Sequence, residues 1–113
     1  LPEHPQHRLL TDMMNAGYGY GGMLAVDVGD TAKANRLMTR MQEEKVGYLA
    51  VSLGYFKTLF SAPGHSTSSE IPEEERKAMG LSDGLVRFSV GLDNDIEQSF
   101  ERIKLCLAEC RVI

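Results

Sequence analysis

The chain has 113 residues, a net charge of −4, 42% hydrophobic residues and 25% charged residues. This length suits a single domain with one core, and the composition is that of an ordinary globular protein. The acidic balance gives no electrostatic reason to expect a nucleic acid or an anionic membrane surface as a partner.

Three further features concern where the protein works. No apolar run approaches the ~20 residues of a membrane-spanning helix, and the opening LPEHPQHRLL lacks the pattern of a signal peptide. Cys106 and Cys110 are too few for a disulfide framework. These features predict a cytoplasmic protein. Because the chain begins with Leu1 rather than methionine, we also expect it to be a piece of a longer protein.

The first part of the chain predicts a helix followed by a strand. Residues 4–17 have a helical pattern, with Pro5 near the first turn and Gly17 after the end. The apolar side of this helix consists of Leu9, Leu10, Met13 and Met14. Residues 21–28 alternate as a strand with Leu24, Val26 and Val28 on one face.

A second helix and a second strand follow. The predicted N-cap is Asp30 or Thr31. Apolar residues then recur at helical spacing: Ala34, Leu37, Met38 and Met41. Residues 46–53, VGYLAVSL, are apolar on both faces, which is typical of a central strand.

The second half predicts two more strands and two more helices. In order, these are a strand over 55–60, a polar loop over 61–70, a short helix over 71–80 with Pro72 in its first turn, and a strand over 85–90. Asp93 or Asn94 is the predicted N-cap of the last helix, whose apolar side is Ile96, Phe100, Ile103 and Leu107. The elements together predict a mixed α/β (α+β) domain of about four strands and four helices, without fixing the strand order.

Two motifs have a simple structural interpretation. The run GYGYGG, residues 17–22, matches the dinucleotide fingerprint G-x-G-x-x-G, but it follows a helix and leads into a strand, the reverse of what pyrophosphate binding requires. The pairs His4/His7 and Cys106/Cys110 do not have the spacing of a standard zinc site. We therefore predict no metal site, and we expect the two cysteines to be partly packed thiols one helical turn apart.

Arg87 raises a more specific question. It lies in the strand LVRFSV between apolar neighbours, with Val86, Phe88 and Val90 on one face and Leu85, Arg87 and Ser89 on the other. The guanidinium is a rigid fork of donors that matches a carboxylate. The pattern allows both a solvated arginine and a ligand clamp. Ser52, Leu53 and Gly54 end the second predicted strand, where α/β folds often contact ligands.

Several longer motifs together resemble one enzyme family. They are HPQH, YGYGGML, KANRLM, LAVSLGYFKTLFSAPG, STSSEIP and GLVRFSVGLD. In this order they are similar to the C-terminal domain of the pyridoxal-phosphate-dependent enzymes of cysteine and methionine metabolism. The likeness runs from His4 to the last helix and is greatest to the methionine γ-lyase branch, where LGY precedes TL and STSSE replaces the more frequent SMTH.

The resemblance implies a fold and a set of site residues. The fold is a small, mostly antiparallel sheet with helices on one side, so that residues 1–113 form one substrate-carboxylate-binding domain and the large cofactor domain is absent. Arg87 is expected to grip the substrate α-carboxylate, with Ser52, Leu53 and Thr67 in the same pocket. The family often has an acidic residue in place of Lys57 and a histidine in place of Ser68, so no role is transferred to either.

The resemblance also implies a chemistry that this chain does not complete. Pyridoxal 5′-phosphate is expected on a lysine of the large domain, so residues 1–113 contain no predicted catalytic or cofactor-binding residue and should be inactive alone. The implied reaction converts L-methionine to methanethiol, ammonia and 2-oxobutanoate, and the full-length enzyme is expected to be a homotetramer. Cystathionine γ-lyases tend to have a glutamate where this chain has Val51, and an apolar residue there fits the thioether tail of methionine.

Three alternatives remain open at this stage. The same domain would serve a cystathionine γ-synthase, a cystathionine lyase or an O-acetylhomoserine sulfhydrylase. A free-standing module that binds an amino acid without catalysis would explain the lack of a cofactor lysine. A purely structural or dimerising domain is the third alternative.

Overall fold

The computed structural model describes residues 1–65, 70–92 and 95–113, and these form one four-stranded sheet and four helices. In chain order the elements are α1 (His7–Met13), β1 (Met23–Asp27), α2 (Thr31–Glu43), β2 (Tyr48–Leu49), β3 (Leu59–Ser61), α3 (Glu73–Ala78), β4 (Leu85–Ser89) and α4 (Ile96–Glu109). The predicted mixed α/β class is confirmed. No helix of the described residues is long and apolar enough to cross a membrane.

The sheet has the strand order β1-β4-β3-β2, so the last strand of the sequence lies inside it. β4 pairs antiparallel with β1 on one side and with β3 on the other. Only the short β2 runs parallel to its neighbour β3. The prediction of a mostly antiparallel sheet is therefore confirmed.

The core lies between one face of the sheet and two of the helices. α2 begins at the N-cap Asp30, whose carboxylate accepts a hydrogen bond from the Lys33 backbone N–H at 2.8 Å. The predicted apolar side of α2 is buried in full: Ala34, Leu37, Met38 and Met41. These residues pack with Phe60, Val86 and Phe88 of the sheet and with Cys106 of α4.

The predicted central strand over 46–53 is wrong. Only Tyr48–Leu49 form a strand, and it is an edge strand because β3 lies between it and β4. Val51 and Leu53 are more than half exposed, so the apolar composition of this segment does not reflect burial among the described residues. Apolar residues on both faces of a strand show its hydrophobicity but not its place in the sheet.

The last helix also departs from its prediction. Its N-cap is Asp95, which accepts a hydrogen bond from the Gln98 N–H at 2.9 Å, and not Asp93 or Asn94, which lie outside the described residues. Three consecutive residues could cap this helix, and the sequence pattern does not choose among them. Ile96 and Phe100 are both 57% exposed and, with Leu24 of β1, line an open apolar pocket. The most buried residue of α4 is Cys106.

The two short helices lie at the periphery of the domain. α1 ends at Met13, well before Gly17, and its C-cap Met14 is extended, so the predicted helix over 4–17 is too long. α3 confirms the predicted short helix but covers Glu73–Ala78 rather than 71–80, and Pro72 is its N-cap rather than a first-turn residue. Neither helix has a buried residue. The sheet, α2 and α4 therefore form the core.

A salt-bridge cluster joins the two core helices on their outer side. Arg40 of α2 contacts Glu109 of α4 with Nε and Oε2 2.6 Å apart, and its other nitrogens contact Glu43 and Glu44. The hydrogen bond to Glu109 and the surrounding carboxylates raise the pKa of Arg40. This arginine fixes α4 against α2.

Phe88→Ala should destabilise the domain by about 3–5 kcal/mol, because it removes a side chain that is 1% exposed and leaves a cavity between the sheet and α2. Leu92→Ala is the matched control, since Leu92 is 89% exposed and should cost less than about 0.5 kcal/mol. Urea unfolding of both variants measures the difference. Equal free energies of unfolding for the two would contradict the core as described.

Candidate functional site

Arg87 lies at the centre of β4, on the face of the sheet that α2 and α4 do not cover. The strand register places Ala25 of β1 opposite it on one side and Ser61 of β3 on the other. Directly opposite residues of neighbouring strands share a face of the sheet. Arg87 therefore extends from the middle of this face, as the alternation of LVRFSV predicts.

The segment that follows β2 crosses this face and meets Arg87. One terminal N–H of the guanidinium (Nη2) donates to the Val51 carbonyl oxygen at 3.2 Å. Val51, two residues after the end of β2, therefore lies next to β4. The Gly54 N–H donates to the Ser89 hydroxyl at 3.2 Å, which holds the other end of the segment. Ser52 and Leu53 lie between these two contacts, so both are brought over β4.

Gly54 is the residue at which the crossing segment turns. Its φ is +67°, in the left-handed region that other residues rarely adopt. A Cβ atom at this position would contact nothing within 4 Å. Glycine is therefore required here for its backbone conformation and not because a side chain would clash. The glycine of the SLG motif therefore directs the chain so that its N–H reaches Ser89.

The charge of Arg87 is not neutralised by the protein in the part of the chain that the structure describes. Arg87 is half-buried, and no carboxylate of the described residues forms a salt bridge with it. Arg40, in contrast, forms salt bridges with three carboxylates. A half-buried guanidinium whose hydrogen-bond partner is a neutral carbonyl remains available to an external anion.

Two pockets lie on either side of the crossing segment. One, of about 270 Å³, is lined by Asn35, Met38, Leu49, Ala50, Val51, Ser61, Ala62 and His65. The other, of about 410 Å³, is lined by Tyr48, Ala50, Ser52, Tyr55 and Leu59. Both have mainly apolar walls with a few polar groups, which suits a small amphipathic ligand.

Ser61 is a candidate that the sequence pattern does not reveal. The sequence predicts a polar loop from this residue on, but Ser61 ends β3, is 3% exposed, and its hydroxyl has no hydrogen-bond partner among the described residues. The sequence contains part of this information, because the apolar residues Phe60 and Ala62 flank Ser61 in a strand-like alternation and both lie in the core. What the sequence lacked was the register that places it beside Arg87.

The remaining candidates are less central. Thr67 lies outside the described residues. His65 is exposed, and its Nε2 lies 3.0 Å from the Thr31 hydroxyl. Cys106 and Cys110 are free thiols and both are buried, more completely than the sequence predicted. Burial raises the pKa of Cys106, which keeps it as an unreactive thiol.

The lysines of the chain do not fit the attachment of pyridoxal phosphate. All five, Lys33, Lys45, Lys57, Lys77 and Lys104, are exposed. A lysine that reacts with a carbonyl cofactor is activated by desolvation or by a neighbouring cation, which lowers its pKa. The hydrogen bond and charge of Glu73 instead raise the pKa of Lys77. Neither of the two pockets along the crossing segment is lined by a lysine.

Comparison with known proteins identifies the class. The family model for the Cys/Met metabolism PLP-dependent enzymes matches residues 1–102. The chain therefore belongs to this family, whose members are PLP-dependent lyases and synthases. The resemblance of its motifs is confirmed at this level.

Individual relatives are similar over nearly the whole chain. A methionine γ-lyase of Arabidopsis thaliana is 47% identical over 92% of this chain and 24% of its own length. A cystathionine γ-lyase of Bacillus subtilis is 35% identical over 88% of this chain and 26% of its own. The chain thus spans about a quarter of the curated relatives it matches.

A solved structure shares the fold. Cystathionine γ-synthase from Xanthomonas oryzae pv. oryzae, determined in complex with cystathionine, superposes with a TM-score of 0.82 and 28% identity. The match covers 98% of this chain and 27% of that one. The architecture described above is therefore that of one portion of a larger enzyme fold.

Ser89→Ala should loosen the crossing segment without disturbing the strand. It removes the acceptor of the Gly54 N–H, a bond worth about 1 kcal/mol, so exchange of the Gly54 amide hydrogen should accelerate about fivefold. The Gly91 amide, which donates to the Thr58 hydroxyl at 3.0 Å, is the internal control and should keep its rate. Unchanged exchange at Gly54 would show that Ser89 does not hold the segment.

Proposed function

We propose that residues 1–113 form the substrate-carboxylate-binding domain of a PLP-dependent sulfur amino-acid lyase, with Arg87 as the group that grips the α-carboxylate. One observation carries this proposal: a half-buried arginine, without a carboxylate partner among the described residues, donates to the carbonyl of Val51 beside Ser52 and Leu53. Ser52 and Leu53 complete the carboxylate pocket in this proposal. Thr67 is included on the family resemblance alone.

An arginine is well suited to this task on physical grounds. Its planar fork can donate two parallel hydrogen bonds to one carboxylate, and it stays protonated over the whole working pH range. Holding the carboxylate fixes the rotation of the bonds at the substrate Cα. Positioning of this kind lowers the reaction barrier without any proton transfer by the arginine.

The proposed substrate is L-methionine, cleaved to methanethiol, ammonia and 2-oxobutanoate. Two observations favour it: the 47% identity to a methionine γ-lyase, and the apolar Val51 in the pocket wall. The runner-up is cystathionine or O-acetylhomoserine chemistry, favoured by the similarity to a cystathionine γ-lyase and to a cystathionine γ-synthase. Arg87 would serve the same purpose in each case.

The rest of the proposal concerns what this chain does not contain. Because the lysines are exposed and the chain spans about a quarter of its relatives, we place the cofactor and its lysine in a large domain outside residues 1–113. Residues 1–113 alone should then be inactive. A cytoplasmic homotetramer is proposed for the complete enzyme.

Arg87→Ala in the complete enzyme should reduce kcat/KM for L-methionine by an amount corresponding to about 2–5 kcal/mol, since it removes one member of a desolvated charge pair. Arg87→Lys should recover little of the loss, because a single ammonium does not reproduce the fork. Cofactor absorbance should stay normal in both variants. Steady-state kinetics measures the effect.

Arg8→Ala is the control for the loss of a positive charge, since the Arg8 side chain is 93% exposed and its salt bridge among the described residues is to Asp12 on its own helix. It should leave kcat/KM unchanged. Near-normal kinetics for Arg87→Ala and Arg87→Lys would end the clamp proposal.

Val51→Glu tests the substrate assignment. The carbonyl that contacts Arg87 is retained, while the new carboxylate should repel the apolar thioether tail and attract the distal amino group of cystathionine. We expect kcat/KM to fall about tenfold or more for L-methionine and to rise for cystathionine. Assays of the wild type and the variant with L-methionine, cystathionine and O-acetylhomoserine decide the matter. A wild-type enzyme that prefers either of the latter two would exclude methionine as the main substrate.

A further inference from the structure

Ser61 carries an unsatisfied hydrogen-bonding group at a position where such a group is costly. Its hydroxyl is fully buried and has no partner among the described residues. Buried polar groups in folded proteins are almost always hydrogen-bonded, and the exceptions often lie at functional sites. The hydroxyl is therefore a candidate for a bond that forms only in another state of the protein.

The strand register places this hydroxyl next to Arg87. Ser61 and Arg87 are directly opposite each other in the antiparallel β3–β4 pair and share a face. The Cβ atoms of such pairs lie about 4.5–5.5 Å apart. The Nε of an arginine is three bonds from its Cβ, so a serine hydroxyl across the strand is within its reach.

The guanidinium keeps an N–H donor that its present contact does not use. Its described hydrogen bond runs from Nη2 to the Val51 carbonyl, which leaves the Nε–H without a described partner. Val51, whose carbonyl is the present partner of the arginine, and Ser61 both line the pocket of about 270 Å³, so the present and the proposed partner lie near each other. A carboxylate is a stronger acceptor for a guanidinium than a neutral carbonyl.

We propose that Ser61 is a positioning residue for Arg87. When a substrate carboxylate draws the guanidinium away from the Val51 carbonyl, the Ser61 hydroxyl accepts a hydrogen bond from the Arg87 Nε–H. This bond fixes the plane of the fork against the carboxylate and satisfies the buried hydroxyl. The inference rests on the proposed carboxylate clamp and adds the residue that orients it.

Ser61→Ala in the complete enzyme should raise KM for L-methionine about tenfold, since it deletes a hydrogen bond to a charged group, while kcat changes less than twofold. Its melting temperature should not fall, because the deleted hydroxyl has no described partner in the free protein. A purely structural role would lower the melting temperature. In the Arg87→Ala background the same substitution should leave kcat/KM unchanged within twofold.

Ser82→Ala is the matched control. The Ser82 hydroxyl is also buried and without a described partner, but Ser82 precedes β4 and is not one of the residues paired opposite Arg87. It should alter neither KM nor kcat. An unchanged KM in Ser61→Ala, a lowered melting temperature, an equal loss in the Arg87→Ala background or an equal effect of Ser82→Ala would each overturn this inference.

The two proposals fail in different ways. If Arg87→Ala impairs kcat/KM and Ser61→Ala does not raise KM, the clamp stands and the positioning role of Ser61 is wrong. If Arg87→Ala has no effect, the clamp itself is wrong, and the inference that rests on it falls with it whatever Ser61→Ala does.

Discussion

The antiparallel pairing of β3 with β4 is the interaction on which the site depends. It inserts β3 between β2 and β4, which makes β4 an inner strand with Arg87 at its centre. It also sets Ser61 opposite Arg87 and directs the segment after β2 across the same face, where Val51 meets the guanidinium. A shift of one residue in this register would turn Ser61 toward the core and separate the two side chains.

Two arginines of the domain show how different surroundings give the same side chain different uses. Arg40 contacts Glu43, Glu44 and Glu109 on the outer side of α2 and α4, and its positive charge is fully matched by the protein. Arg87 is half-buried and has a neutral carbonyl as its described partner. The first arrangement joins two helices; the second leaves charge and donors available to a ligand.

Exposed apolar residues form one group of departures from the sequence-based predictions. Leu9 and Met13 of α1, and Ile96 and Phe100 of α4, follow the expected helical spacing, yet all four are exposed. Periodicity identifies which residues of a helix are apolar, but it does not show what covers them. The chain spans about a quarter of its relatives, and exposed apolar patches are typical of surfaces that take part in an interaction.

The sequence by itself determined the local features: the buried side of α2, the alternation of β4 that separates Arg87 from Val86 and Phe88, and the family to which the motifs belong. These follow from spacing along a short stretch of chain. Only the tertiary structure decided that 46–53 contributes an edge strand, that Asp95 caps α4 and that Ser61 lies beside Arg87. Strand order and register depend on the free energy of pairing segments far apart in the chain, and no local pattern encodes that comparison.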